Sequence, residues 1–172
     1  MQVSVFVGVS IDGFIARPDG GLDFLAPFEG EDHGYEEHMG SIDALVVGRA
    51  TWETVLGFDA WPWSGKRVIV LTHRGLEAAH REDTHAGPLA PLFARLAADG
   101  VRHVYLDGGV AIRHGLDEDL VDDMTISTVP RTIGAGIPLF AAARPCTTAW
   151  RLARTRSLPS GVVQSRWERA RS

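Results

Sequence analysis

The sequence predicts an α/β fold: a mainly parallel central sheet, helices on both faces, and an antiparallel hairpin at the C-terminal edge. Three observations carry that prediction. Short apolar runs at Ala44–Val47, Val68–Leu71 and Val104–Leu106 lack the polar alternation of a half-exposed strand, as strands buried on both faces do. Helical or turn patterns separate them, which is how a parallel sheet is wound. The tail from Arg151 to Leu158 and from Val162 to Glu168 alternates across Pro159-Ser160-Gly161, the pattern of a hairpin.

Taken in order, Val3, Val5, Val7 and Val9 alternate with Ser4, Phe6, Gly8 and Ser10 and predict a first strand. A glycine-rich loop follows, with Asp12-Gly13-Phe14-Ile15 and Pro18-Asp19-Gly20-Gly21. It carries Phe14, Ile15, Leu22 and Phe24, more apolar bulk than a solvated loop needs. Asp32 to Gly40 is expected to be a helix capped near Asp32 and stopped at Gly40. The strand Ala44–Val47 runs through Gly48-Arg49 into a helix opening at Thr51. Trp61-Pro62-Trp63-Ser64-Gly65 turns the chain into Val68–Leu71, which Thr72-His73-Arg74-Gly75 ends. Arg81 to Pro88 is polar and expected to be loop. Leu89, Leu92, Phe93 and Leu96 keep helical spacing up to Gly100. Val104–Leu106 reaches Asp107-Gly108-Gly109, with a helix from Val110. Met124–Val129 is a strand stopped by Pro130.

At 172 residues the chain is expected to be one domain, and 45% apolar with 23% charged residues is the composition of a globular protein. A net charge of −5 argues against a nucleic-acid or anionic-membrane surface while leaving room for a local basic pocket. No apolar run approaches the ~20 residues of a membrane span, and the first residues show no signal pattern. One cysteine, Cys146, excludes an internal disulfide, so a reducing cytoplasm is expected. The histidines show no metal-ligand spacing, and no metal is expected.

Three predicted strand ends carry groups that suit phosphate: Gly48-Arg49-Ala50-Thr51, Thr72-His73-Arg74 and Gly108-Gly109. In a parallel sheet they share one edge, where open α/β folds bind ligands. Helix N-termini there offer free N–H groups and a favourable dipole, and Arg49 adds a planar fork. The alternative is that Gly48 and Gly108-Gly109 are turns and Arg49 a solvated charge. Their repetition on three strands favours the phosphate site, with Arg49, Thr72, His73 and Arg74 placed for a second phosphate such as the 2′-phosphate of NADPH.

These residues also resemble dihydrofolate reductase. Ser10-Ile11-Asp12-Gly13-Phe14-Ile15-Ala16 is similar to that family's mobile first loop, and Gly48-Arg49-Ala50-Thr51-Trp52-Glu53 to its Gly-Arg-x-Thr-Trp-Glu signature. Tyr105-Leu106-Asp107-Gly108-Gly109 and the stretch from Asp122 to Phe140 resemble more closely the reductase domain of bacterial riboflavin biosynthesis and its stand-alone homologues. The likeness runs from Val3 to about Trp167. It implies a dihydrofolate reductase-like three-layer α/β/α fold, NADPH as cofactor, and a homodimer. It further implies that Gly8 and Ile15 meet the nicotinamide carboxamide, that Arg49, Thr72, His73 and Arg74 surround the 2′-phosphate, that Thr51, Gly108, Gly109 and Val110 receive the pyrophosphate, and that Gly48 belongs to the cofactor site.

Hydride transfer needs a proton donor. An ungapped count back from the Gly-Arg signature puts Asp32 where folate reductases carry their acid, although an N-cap explains Asp32 equally well. His33 is the alternative donor. Arg17 and Arg131 are the only candidates for a second anion site near the nicotinamide. The functions in contention are an NADPH-dependent reductase of a small heterocyclic or carbonyl substrate, a nucleotide-binding module without turnover, and the reductase step of riboflavin biosynthesis. For the last, this chain shows no deaminase zinc motif and would supply the reduction only.

Overall fold

The computed structural model describes residues 1–140 and 147–170, so Cys146 lies outside the described residues. In chain order the elements are β1 (Gln2–Ser10), β2 (Phe14–Ala16), α1 (Tyr35–Ser41), β3 (Ala44–Gly48), α2 (Arg49–Leu56), β4 (Arg67–Leu71), β5 (Asp83–His85), α3 (Leu89–Ala98), β6 (His103–Asp107), α4 (Gly109–Asp117), β7 (Asp123–Val129), β8 (Ile137–Pro138), β9 (Trp150–Ser157) and β10 (Val163–Arg169). The main sheet has the order β5-β4-β3-β6-β1-β7-β10-β9. From β5 to β7 all pairs are parallel, while β10 runs antiparallel to both β7 and β9. This is the predicted architecture, hairpin edge included.

Alternation along β1 divides the core in two. Val3, Val5, Val7 and Val9 join Leu92, Leu96 and Ile112 of α3 and α4 on one face. On the other, Leu45, Val47, Val70 and Tyr105 pack with Trp52, Val55 and Trp63. The strand runs 44–47 and 68–70 are buried throughout, which is why they show no polar alternation.

Four expectations change. The polar stretch Arg81–Pro88 contains β5, which pairs in parallel with β4 at Ile69↔Asp83 through Leu71↔His85. Lying at the sheet edge and half in solvent, it needs no apolar pattern. Phe14–Ala16, placed in the first loop by the sequence, forms a separate antiparallel pair with Ile137–Pro138. The helix expected from Asp32 starts at Tyr35, because Gly34 takes a left-handed φ of 76° and Asp32 closes a local turn on the Gly34 N–H (2.7 Å). Helices α2 and α4 open at Arg49 and Gly109, earlier than Thr51 and Val110.

The apolar content of the first loop has a use. Phe24 and Phe28 are buried against Val129 and Val162. Asp12 accepts from the Ile133 and Gly134 N–H groups (3.2 and 2.8 Å), and the Leu139 N–H donates to the Gly13 carbonyl (3.0 Å). Those bonds pin the loop over the carboxyl end of β1.

Candidate functional site

The carboxyl ends of β1, β3, β4 and β6 open into one cleft of about 660 Å³, a size suited to a small-molecule ligand. Gly8, Ile15, Gly48, Arg49, Thr51, Arg74, Gly108, Gly109 and Val110 all line it. The chain reverses its direction of travel across the sheet here: β6 is inserted between β3 and β1, and β7 then lies on the other side of β1. Ligands of open α/β sheets bind at such a point.

Two helices aim their N-termini at the cleft. Helix α2 starts from Gly48 and α4 from Gly108, and no side chain caps either first turn. Their free N–H groups and dipoles make an anion cradle. Glycine at 108 is required twice over: its φ is +91°, and a Cβ there would sit 2.1 Å from Thr51 Oγ1. A Cβ on Gly109 would lie 2.8 Å from Ile137 Cγ2. Only glycines let the ends of β3 and β6 and the β8 segment converge this closely.

Arg49 is already engaged. Its Nε donates to Glu53 Oε1 (2.7 Å), and a terminal nitrogen donates to the Gly75 carbonyl (3.0 Å) and the Thr72 hydroxyl (3.4 Å). It therefore ties α2 to the 72–75 loop. Thr72 Oγ1 accepts from the Arg74 N–H (3.1 Å), which shapes the turn. Thr72 and His73 do not line the cleft themselves; Thr72 acts through Arg49, and His73 is exposed beside it.

The cleft does not include the two proposed proton donors. Asp32 is exposed, and His33 bonds the Phe28 carbonyl (2.7 Å). Both line a second hollow of about 430 Å³ with Glu37, His38, Arg154 and Arg156. Helix α1 is capped at Gly34, two residues after Asp32, and Tyr35, not Asp32, lines the cleft.

Two acids line the cleft: Glu53, exposed and paired with Arg49, and Asp107, at the carboxyl end of β6. Burial pushes its carboxyl up to about 6, against the pull of the Gly108 N–H (2.8 Å) and the Tyr105 hydroxyl. Tyr105 is buried behind it and donates to the Phe6 carbonyl (2.8 Å). Burial and then the Asp107 charge raise the Tyr35 phenol. In the sequence Asp107 ends the apolar run 104–106 in front of two glycines, and nothing local marks it as the acid that packing desolvates.

Residues 1–164 match the model of the RibD C-terminal domain. The uncharacterized protein YwjB of Bacillus subtilis is 33% identical over 140 residues, 79% of this chain and 80% of that one. A putative riboflavin biosynthesis protein from Shewanella sp. PV-4 superposes with a TM-score of 0.91 at 34% identity, covering 99% of this chain and 100% of its own. Dihydrofolate reductase from Enterococcus faecalis, solved in complex with NADP(H), shares the fold: TM-score 0.70, 14% identity, 99% and 97% covered.

Proposed function

This chain belongs to the RibD C-terminal domain family, and from that membership we propose that it is an NADPH-dependent reductase of a small heterocyclic or carbonyl compound. One observation carries the reading above the others: two uncapped helix N-termini, a glycine pair and two arginines surround a single cleft that also holds a half-buried carboxyl group. A binding module without chemistry has no need of that carboxyl.

NADPH, when bound, supplies the hydride. The first turns of α2 and α4 would hold its pyrophosphate, with Thr51, Gly108 and Gly109. Arg74, whose guanidinium has no bond to another described residue, and the Arg49–Thr72 pair would hold the 2′-phosphate. Gly8 and Ile15 would meet the nicotinamide end. Addition of a hydride to the carbon of a C=N or C=O sends the π pair to nitrogen or oxygen, which then takes a proton. Asp107 would give it, in place of Asp32 or His33: it lines the cleft, and burial pushes its carboxyl up to about 6.

Titration of the protein with NADPH and NADH tests the cofactor. Arg49→Ala should weaken NADPH by about 1.5–3 kcal/mol, as for one hydrogen bond to a charged group, and leave NADH nearly untouched. Equal affinity for the two nucleotides would refute the phosphate site. A riboflavin-pathway reduction is the narrower alternative, supported by the family alone.

A further inference from the structure

Two arginines line the cleft, Arg49 and Arg74; Arg17, bound to Asp23 (2.5 Å), and Arg131 do not. Arg74, with Thr72 and His73, begins the connection 72–82 from β4 to β5. A crossover between parallel strands is usually a helix, whose own hydrogen bonds fix its course. Here 72–82 forms no helix. Its first amide, the Thr72 N–H, continues the sheet by donating to the His85 carbonyl (2.9 Å). Side chains then hold it at three places. The Thr72 hydroxyl accepts from the Arg74 N–H (3.1 Å), Arg49 donates to the Gly75 carbonyl (3.0 Å), and Glu82 accepts from the His80 N–H (2.8 Å).

Glu82 is the one buried residue of the connection, 7% exposed, and a carboxylate is an expensive group to take out of water. Both of its oxygens are in use. Oε1 accepts from Trp52 Nε1 (2.8 Å), and Oε2 takes the His80 N–H. Arg81, between His80 and Glu82, is held at φ 67°, a strained setting for a residue with a Cβ. The His80 ring in turn stacks on Trp61 (4.2 Å, 18°). Trp52 is buried on α2, three residues after Arg49 and so on the same side of the helix. Helix α2 therefore grips the connection twice: Arg49 holds it near its start, at Gly75, and Trp52 holds its end, at Glu82.

We propose that Glu82, which lies outside the cleft, is a positioning residue for the cofactor's 2′-phosphate. Its bond to Trp52 docks the connection on α2 and so sets Arg74 against the Arg49–Thr72 pair, while α2 offers its first turn to the pyrophosphate. The two phosphate sites then keep a fixed spacing. Without the tether the connection gains conformational freedom that binding has to remove again. That loss falls on the 2′-phosphate contacts, because the pyrophosphate sites on α2 and α4 do not involve the connection.

This role rests on the NADPH reading, and calorimetric dissociation constants for NADPH and NADH test the two separately. The parent should prefer NADPH and Arg49→Ala should remove the preference; a parent with none would overturn the phosphate site and the role of Glu82 with it. Glu82→Ala should cut the preference by at least about fivefold, with NADH affinity within about twofold of the parent's. Trp52→Phe, which takes away the donor, should cut it likewise. The double variant should lose no more than Glu82→Ala alone, since both act through one bond, and losses that multiply would count against the role. A preference that Arg49→Ala removes and Glu82→Ala leaves within about twofold of the parent's would overturn the role of Glu82 alone. So would an equal loss for both nucleotides, the mark of a purely structural contact. If Glu82→Ala does not fold, Glu82→Gln decides: it keeps one acceptor for Trp52 but turns an NH2 toward the His80 N–H. Its preference should fall by at least about threefold, and an unchanged preference would overturn the proposal.

Discussion

Asp107 shows how one residue's surroundings set its chemistry. The carboxyl is raised from 3.8 to about 6 chiefly because the end of β6 is buried. The sign of its effect on stability follows. The folded chain holds this proton more tightly than the unfolded one, so the fold is least burdened below pH 3.8 and loses stability as pH rises to about 6. Asp107→Asn removes that loss: the variant should melt higher than the parent at pH 7–8, with the gap closing below pH 3.8. A gap that does not vary with pH would refute the assignment. In the proposed reaction the protonated form is the useful one. Turnover should therefore fall above about pH 6 and drop by about 100-fold or more in Asp107→Asn, while NADPH affinity stays close to that of the parent.

At the scale of elements, the cradle depends on how closely β3 and β6 deliver their helices. Gly108→Ala forces a Cβ against Thr51 Oγ1 at 2.1 Å and strains a residue at φ +91°. It should cost about 1–3 kcal/mol in a denaturant melt. Thr51→Ala in the same chain removes the opposing atom and should restore part of that loss; no restoration would mean the strain is in the backbone alone. The same packing explains why Asp32 is a turn residue. Helix α1 is short, and its left-handed Gly34 entry shifts the whole segment, so Tyr35 reaches the cleft and Asp32 does not. A count along the sequence cannot register a shift of that kind, since it depends on where β1, α1 and the hairpin meet.

For the whole molecule, no helix of the described residues is long and apolar enough to cross a membrane. One sheet edge is β5, three residues long; the other is β9, eight residues long and mostly exposed. Leu152 on β9 and Val163 on β10 are exposed there too. A long unpaired edge invites another strand, and a two-fold partner satisfies it in a closed pair. We propose a homodimer through this edge. Sedimentation should show twice the mass of 18.7 kDa. Leu152→Glu should shift it toward monomer, and a monomer in the parent chain would dispose of the proposal.

How much was legible beforehand depends on the range of the cause. The buried parallel strands, the hairpin around Pro159-Ser160-Gly161, and the Gly-Arg and Gly-Gly strand ends follow from local patterning, and they were readable because each is fixed by residues adjacent in the chain. The nine candidate cofactor residues that line the cleft come from five separate segments, yet their common edge follows from the parallel sheet alone. Strand β5 was not readable, since a solvated edge strand needs a neighbour and no apolar pattern. Nor was the acid of the cleft: Asp32 and Asp107 look alike as residues, and only tertiary packing decides which is desolvated and which lies in water. Local chemistry in this sequence determined which strand ends carry glycines, arginines and opening helices. The long-range placement of α1 against β1 and β6 decided that Asp107, and not Asp32, lines the cleft.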